Sequence, residues 1–136
     1  MRFHVLVMSL CLAAAACQKP PPRRLEASEL VGTYKAQTKV IGQQRVGTIR
    51  LNADGTYVHE YVVEGVRREQ TGTWKVVDSA NGTMVRFTNF VADWWDPDPV
   101  TLQTYVEAHG EWIGLAAISD EGFWFVKQSE GMESPK

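Results

Sequence analysis

The stretch Leu51-Asn52-Ala53-Asp54-Gly55-Thr56-Tyr57 decides how this chain folds. Asn52 to Gly55 is a polar run ending in glycine, the residue that takes the positive φ of a tight turn without steric cost. Upstream, Ile49 and Leu51 alternate with Thr48, Arg50 and Asn52. Downstream, Tyr57, His59, Tyr61 and Val63 alternate with Val58, Glu60, Val62 and Glu64. A period of two on both sides of a turn predicts a β-hairpin, with strands over about 46–52 and 56–64. Ile49 and Leu51 mark the inward face of the first of these. On the second, the aromatic row competes with Val58 and Val62, so either face can be the buried one.

The same opening recurs along the chain. Gly-Thr followed by an apolar or aromatic residue occurs at Gly32-Thr33-Tyr34, Gly47-Thr48-Ile49, Gly55-Thr56-Tyr57, Gly72-Thr73-Trp74 and Gly82-Thr83-Met84. The uneven spacing excludes a solenoid and fits a meander of unequal hairpins. Further strands are expected at about 30–40, 69–78, 83–90, 102–107, 111–118 and 123–128. Tyr34, Trp74, Val76, Val85 and Phe87 mark faces of these strands. Glu64-Gly65-Val66-Arg67 and Asn81-Gly82 are read as turns, and the apolar run 112–118 as a central strand. One helical turn fits Leu25 to Val31, and residues 91–101 form an acidic loop with two prolines and Trp94-Trp95. Eight short sequential strands predict an all-β fold, an antiparallel up-and-down barrel, because closing the sheet removes its exposed edges.

The N-terminus reads differently. Arg2 precedes twelve residues, Val5 to Ala16, of which Ser9 alone is polar. That is too short for a spanning helix and fits the apolar core of a secretory signal. Ala14-Ala15-Ala16-Cys17 resembles the lipobox of bacterial lipoproteins. The resemblance implies cleavage before Cys17, acylation of Cys17 (palmitate or a similar chain), and anchoring in the bacterial cell envelope. Gln18, in place of aspartate, implies the outer membrane, facing the periplasm. Two or more acyl chains make such attachment stable. Residues 1–16 are then a signal peptide, 17–29 a tether with Pro20-Pro21-Pro22, 30–128 the barrel and 129–136 a polar tail. Arg23 and Arg24 either meet anionic headgroups or are solvated. Cys11 leaves with the signal, so Cys17 is the one cysteine left and no internal disulfide can form.

Composition narrows the chemistry. Removing the leader leaves 120 residues with a net charge of −3, a poor starting point for nucleic-acid binding. Residues 17–90 carry 11 basic and 7 acidic residues, whereas 91–136 carry 2 and 9. This charge difference either orients the domain or is scatter. The sequence contains no nucleophile elbow, phosphate loop or zinc-protease motif. His109 with Glu107 and Glu111 reads as a polar turn, and Asp93 with Asp96 and Asp98 as a loop, in preference to metal clusters. No catalytic residues, metal or cofactor are expected, and the chain is read as a non-enzyme.

Leu30-x-Gly32-Thr33-Tyr34, the 51–57 hairpin and Gly72-Thr73-Trp74 together resemble small lipocalin-like domains of bacterial envelope proteins. The resemblance covers about residues 28–90 and implies a barrel that holds a small apolar molecule. The ligand-binding candidates are Tyr57, Tyr61, Trp94, Trp95 and Trp112. Two functions are expected. The first is a membrane-anchored module binding a hydrophobic small molecule or lipid. The second is a solid barrel engaging an envelope protein partner, as an assembly accessory or enzyme inhibitor.

Overall fold

The computed structural model describes residues 23–37, 47–91, 98–118 and 123–129. A four-residue helix, α1 (Ala27–Leu30), leads into β1 (Gly32–Gln37), β2 (Gly47–Leu51), β3 (Thr56–Val63) and β4 (Val66–Ser79). β5 (Gly82–Phe90), β6 (Val100–His109), β7 (Trp112–Ile118) and β8 (Phe123–Lys127) complete the chain. Each strand pairs antiparallel with the next, and β8 returns to β1, giving a closed eight-stranded up-and-down barrel.

The deciding hairpin forms as its alternation requires. Ile49 pairs with His59 and Leu51 with Tyr57. Asp54 fixes the turn: its Oδ1 accepts from the Thr56 backbone at 2.9 Å and the Thr56 hydroxyl at 2.6 Å. These bonds, the hydroxyl first, hold the Asp54 carboxyl below its usual pKa. Ile49 (2% exposed), Leu51 (1%) and Tyr57 (0%) all turn inward, which settles the open face of β3. The core they join contains Tyr34, Trp74, Val85, Phe87, Ile113 and Leu115.

The two ends of the barrel differ. At one end lie α1 and the turns at 52–55, 80–81 and 110–111. Leu25 and Leu30 are buried there. The Leu25 backbone N–H donates to Thr83 Oγ1 at 2.8 Å, the Tyr34 hydroxyl to the Leu30 carbonyl at 2.6 Å, and Lys127 Nζ to the Glu29 carbonyl at 2.6 Å. This end is therefore sealed by the N-terminal segment. The opposite end carries the tight turn Glu64-Gly65 and the strand ends joined by 38–46, 91–99 and 119–122, which lie wholly or mostly outside the described residues.

Four expectations need correction. The first strand begins at Gly32, because residues 27–30 are helical. The turn expected over Glu64–Arg67 takes only Glu64 (φ 49) and Gly65 (φ 76), two positive-φ residues that make a two-residue hairpin, so β4 already begins at Val66. The turn expected at Asn81-Gly82 uses Ala80 and Asn81 instead, and Gly82 opens β5. Finally, a closed ring has no central strand. β7 is apolar on both faces because Ile113 and Leu115 enter the core while the Trp112 indole lies outside, across Gly114.

Candidate ligand-binding site

The inward row of β3 builds the site. Tyr57 forms its floor. Its hydroxyl donates toward the carbonyls of Thr88 (3.0 Å) and Asn89 (2.9 Å), and its ring meets Phe87 edge-on at 5.2 Å. Burial pushes its pKa up to about 12. Both polar and apolar parts of Tyr57 are thus engaged within the protein, giving it a packing role beneath the site.

Two residues further toward the loop end stands His59, 7% exposed. Phe90 stacks on the imidazole at 4.9 Å and 5°. Tyr61 lies at 4.8 Å, and Phe125 approaches edge-on at 5.9 Å. Among the described residues no group hydrogen-bonds His59 Nδ1. A buried polar atom without a partner costs about 1–3 kcal/mol. Burial also pulls the imidazole pKa down to about 4, so the ring is neutral at pH 7. The arrangement is an aromatic box with one neutral hydrogen-bonding atom. It suits stacking and apolar contact more than acid–base work.

Phe90 reaches the box through an irregularity. In a regular strand, residues three apart face opposite ways. Phe87 (1% exposed) and Phe90 (4%) both face inward, because the β5–β6 register shifts between them and Asn89 adopts φ 55. The Tyr57 hydroxyl holds the carbonyls at this bulge. Side chains also bridge the neighbouring seam. β4 pairs with β3 over residues 66–73 and with β5 only from Trp74 onward. Where its first half lacks that ladder, Asn89 Nδ2 donates to the Thr71 carbonyl at 2.8 Å, and the Val91 N–H donates to Gln70 Oε1 at 2.7 Å. Gln70 pairs with His59 and shares its inward face.

The sequence-derived candidates separate. Tyr57 and Tyr61 share the inner wall, with Tyr61 half-buried nearer the loop end. Trp112 does not join them. It is 37% exposed on the outer wall, where its ring packs near His109 at 5.8 Å. Trp94, Trp95 and Cys17 lie outside the described residues. His59, Phe90 and Phe125 are the members that sequence reasoning left out. His59 follows from strand alternation once the face of β3 is known. Phe125 faces inward opposite the buried Leu115, on a strand whose run Phe123-Trp124-Phe125-Val126 offers no alternation to read. Phe90 requires the bulge.

At the α1 end, away from the site, Arg23 pairs with Glu29, while Arg24 pairs with Asp78 at 3.0 Å and reaches the Ser79 carbonyl at 3.4 Å. Both arginines thus have partners within the chain. His109 Nε2 lies 2.6 Å from Glu107 Oε1, and among the described residues no three His, Cys, Asp or Glu side chains converge.

A closed eight-stranded antiparallel meander with an inward aromatic wall defines a lipocalin-like barrel. A solved structure of this kind is that of insecticyanin from the tobacco hornworm, Manduca sexta. It matches with a TM-score of 0.51 and 14% identity, covering 84% of this chain and 69% of that one. At that identity the likeness is one of fold. No family model and no curated protein matches the sequence.

Proposed function

We propose that the protein is a lipid-anchored envelope module whose barrel binds a hydrophobic small molecule or lipid at the end opposite α1. The observation that carries this reading is the aromatic box of His59, Tyr61, Phe90 and Phe125 on the inner wall. Aromatic rings supply large contact area with little rotamer entropy to lose, as binding sites need. The lipocalin-like fold supports an interior site of this class. Cys17 supplies the anchor, and the cell envelope, outer membrane included, is the location that its surrounding sequence favours.

The binding claim is tested by native mass spectrometry of protein extracted from membranes, and by tryptophan fluorescence on titration with two uncharged apolar probes, decane and 1-decanol. Co-purifying lipid or a saturable spectral shift is expected. A protein that carries nothing and responds to no apolar probe would sink the reading and favour the protein-interaction alternative. The outer-wall pair Trp112 and Tyr105 (48% exposed) is the observation on the side of that alternative. The anchor has its own check: Cys17→Ser should move the protein from the membrane to the soluble fraction, and unchanged fractionation would contradict acylation.

A further inference from the structure

We propose that the ligand carries a neutral hydrogen-bonding group, a hydroxyl or carbonyl at one end of an apolar body, and that His59 Nδ1 engages it. The inference deepens the binding reading above and rests on it. Its starting point is the one side-chain atom, among the described residues, that is buried without a partner, His59 Nδ1. Buried polar atoms in folded proteins are satisfied in the great majority of cases, so an exception inside an aromatic box points to a partner supplied from outside.

The charge of that partner follows from the walls. Across the neighbouring strands His59 faces Ile49 and Gln70, neither of them charged. Among the described residues, two cations share the inward register. Arg68, opposite Tyr61, is exposed at the loop end, and Lys127, opposite Tyr34, donates to the Glu29 carbonyl at the sealed end, below the floor. Lys35, Arg50, Glu60 and Arg67 alternate onto the outer wall. A carboxylate, phosphate or ammonium drawn to the depth of His59 would therefore lose its water and meet no opposite charge among the described residues. The imidazole is itself uncharged, with its pKa held near 4, and cannot supply one. A hydroxyl or carbonyl needs only one hydrogen bond, which Nδ1 provides as acceptor or, in the other tautomer, as donor.

Direction follows from depth. Beneath His59 the floor is closed by Tyr57 and Phe87, 0% and 1% exposed. From His59 to the end of β3 at Val63 the strand runs four residues, about 13 Å at ~3.3 Å each. The polar end accordingly enters first, and the apolar body trails past Tyr61 toward the rim. Tyr61, only half-buried, is the ring that must move aside to admit it.

The test uses the full chain purified in its native form, with 1-decanol, methyl decanoate, decanoate and decane as probes at pH 7.4. For the wild type, 1-decanol and methyl decanoate should bind about tenfold tighter than decane, the effect of one hydrogen bond made by an otherwise unsatisfied group. Decanoate should bind no better than decane. In His59→Phe, which keeps a ring in the box, that preference should fall to within about twofold while decane binding persists. In ¹⁵N-histidine-labelled wild type, the His59 ring nitrogen signal should move with 1-decanol and stay in place with decane. Probes that bind wild type without discrimination, or a His59 signal unmoved by 1-decanol, overturn the inference and leave the hydrophobic-ligand reading standing. If no probe binds wild type, both fall. The labelled wild-type measurement decides the matter should His59→Phe not fold.

Discussion

His59 is a neutral imidazole where a charged one would be costly, and that makes the protein's stability depend on acid. Its folded pKa, about 4, lies below the unfolded value of 6.5. Between those values the unfolded chain binds the extra proton, so stability is complete above about pH 6.5 and declines as pH falls toward 4. The loss should reach about 3 kcal/mol at most, from ~2.5 units at ~1.36 kcal/mol each. Urea melts at pH 7 and pH 4.5 should show it, and His59→Gln should flatten the difference. An equally steep decline in the variant would assign the acid sensitivity to other groups. At the neighbouring position, Tyr57→Phe removes a hydroxyl that serves two carbonyls at the β5 bulge. It should cost about 1–2 kcal/mol of stability, read from the same melts, and leave probe affinity within about twofold.

At the level of elements, the seam between β4 and β5 concentrates the tightest packing. A Cβ at Gly72 would stand 2.3 Å from the Thr88 carbonyl oxygen and 2.7 Å from the Tyr57 ring. Gly72→Ala should therefore lower stability by about 3 kcal/mol, since neither the backbone nor the pinned ring can yield cheaply. Gly110→Ala meets open space and suffers only from its positive φ of 62, so about 1 kcal/mol is expected. Equal losses at the two sites in chemical denaturation would contradict this account of the seam. These elements also show what could be read in advance. Asn52–Gly55 set the register of β2 against β3, so Ile49 and Leu51 were legible as inward from alternation alone. β3 itself was not, because valines occupy its second face. Its orientation is settled by pairing with β2, which sets Tyr57 and His59 opposite the inward Leu51 and Ile49; the Tyr57 hydroxyl then meets carbonyls 31 and 32 residues away. Phe90 was hidden by a bulge that rests on a positive φ at asparagine. Trp112 was hidden because β7 is apolar on both sides, which alternation cannot resolve.

For the molecule as a whole, closure of the ring and closure of one end are separate achievements. The ring follows from eight strands in sequence order; Gly-Thr at Gly32, Gly47, Gly55 and Gly82 marks the starts of β1, β2, β3 and β5, whereas Gly72-Thr73, expected to open a strand, falls inside β4. The sealed end depends on α1 and the residues just before it, where Leu30 is fully buried and Leu25 nearly so. Leu30→Ala should cost about 2–5 kcal/mol, the range for a large-to-small change in a packed core. A melting curve that hardly moves would show the segment to be an accessory.

That sealed end also sets which way the molecule stands. Arg23, the first described residue, lies six positions after Cys17, and six residues reach about 20 Å at most. β3 alone has eight residues, about 26 Å along its length. With strands tilted about 35–45° to the barrel axis, that length amounts to about 20 Å of height. An anchor at Cys17, as proposed, would hold the α1 end toward the bilayer on a leash no longer than the barrel itself, and the far rim would reach the same surface only with the tether drawn straight. The box around His59 would then face the aqueous compartment. The protein would trade its cargo with whatever passes by in solution, and the membrane beneath it would be a footing and not the store it draws from.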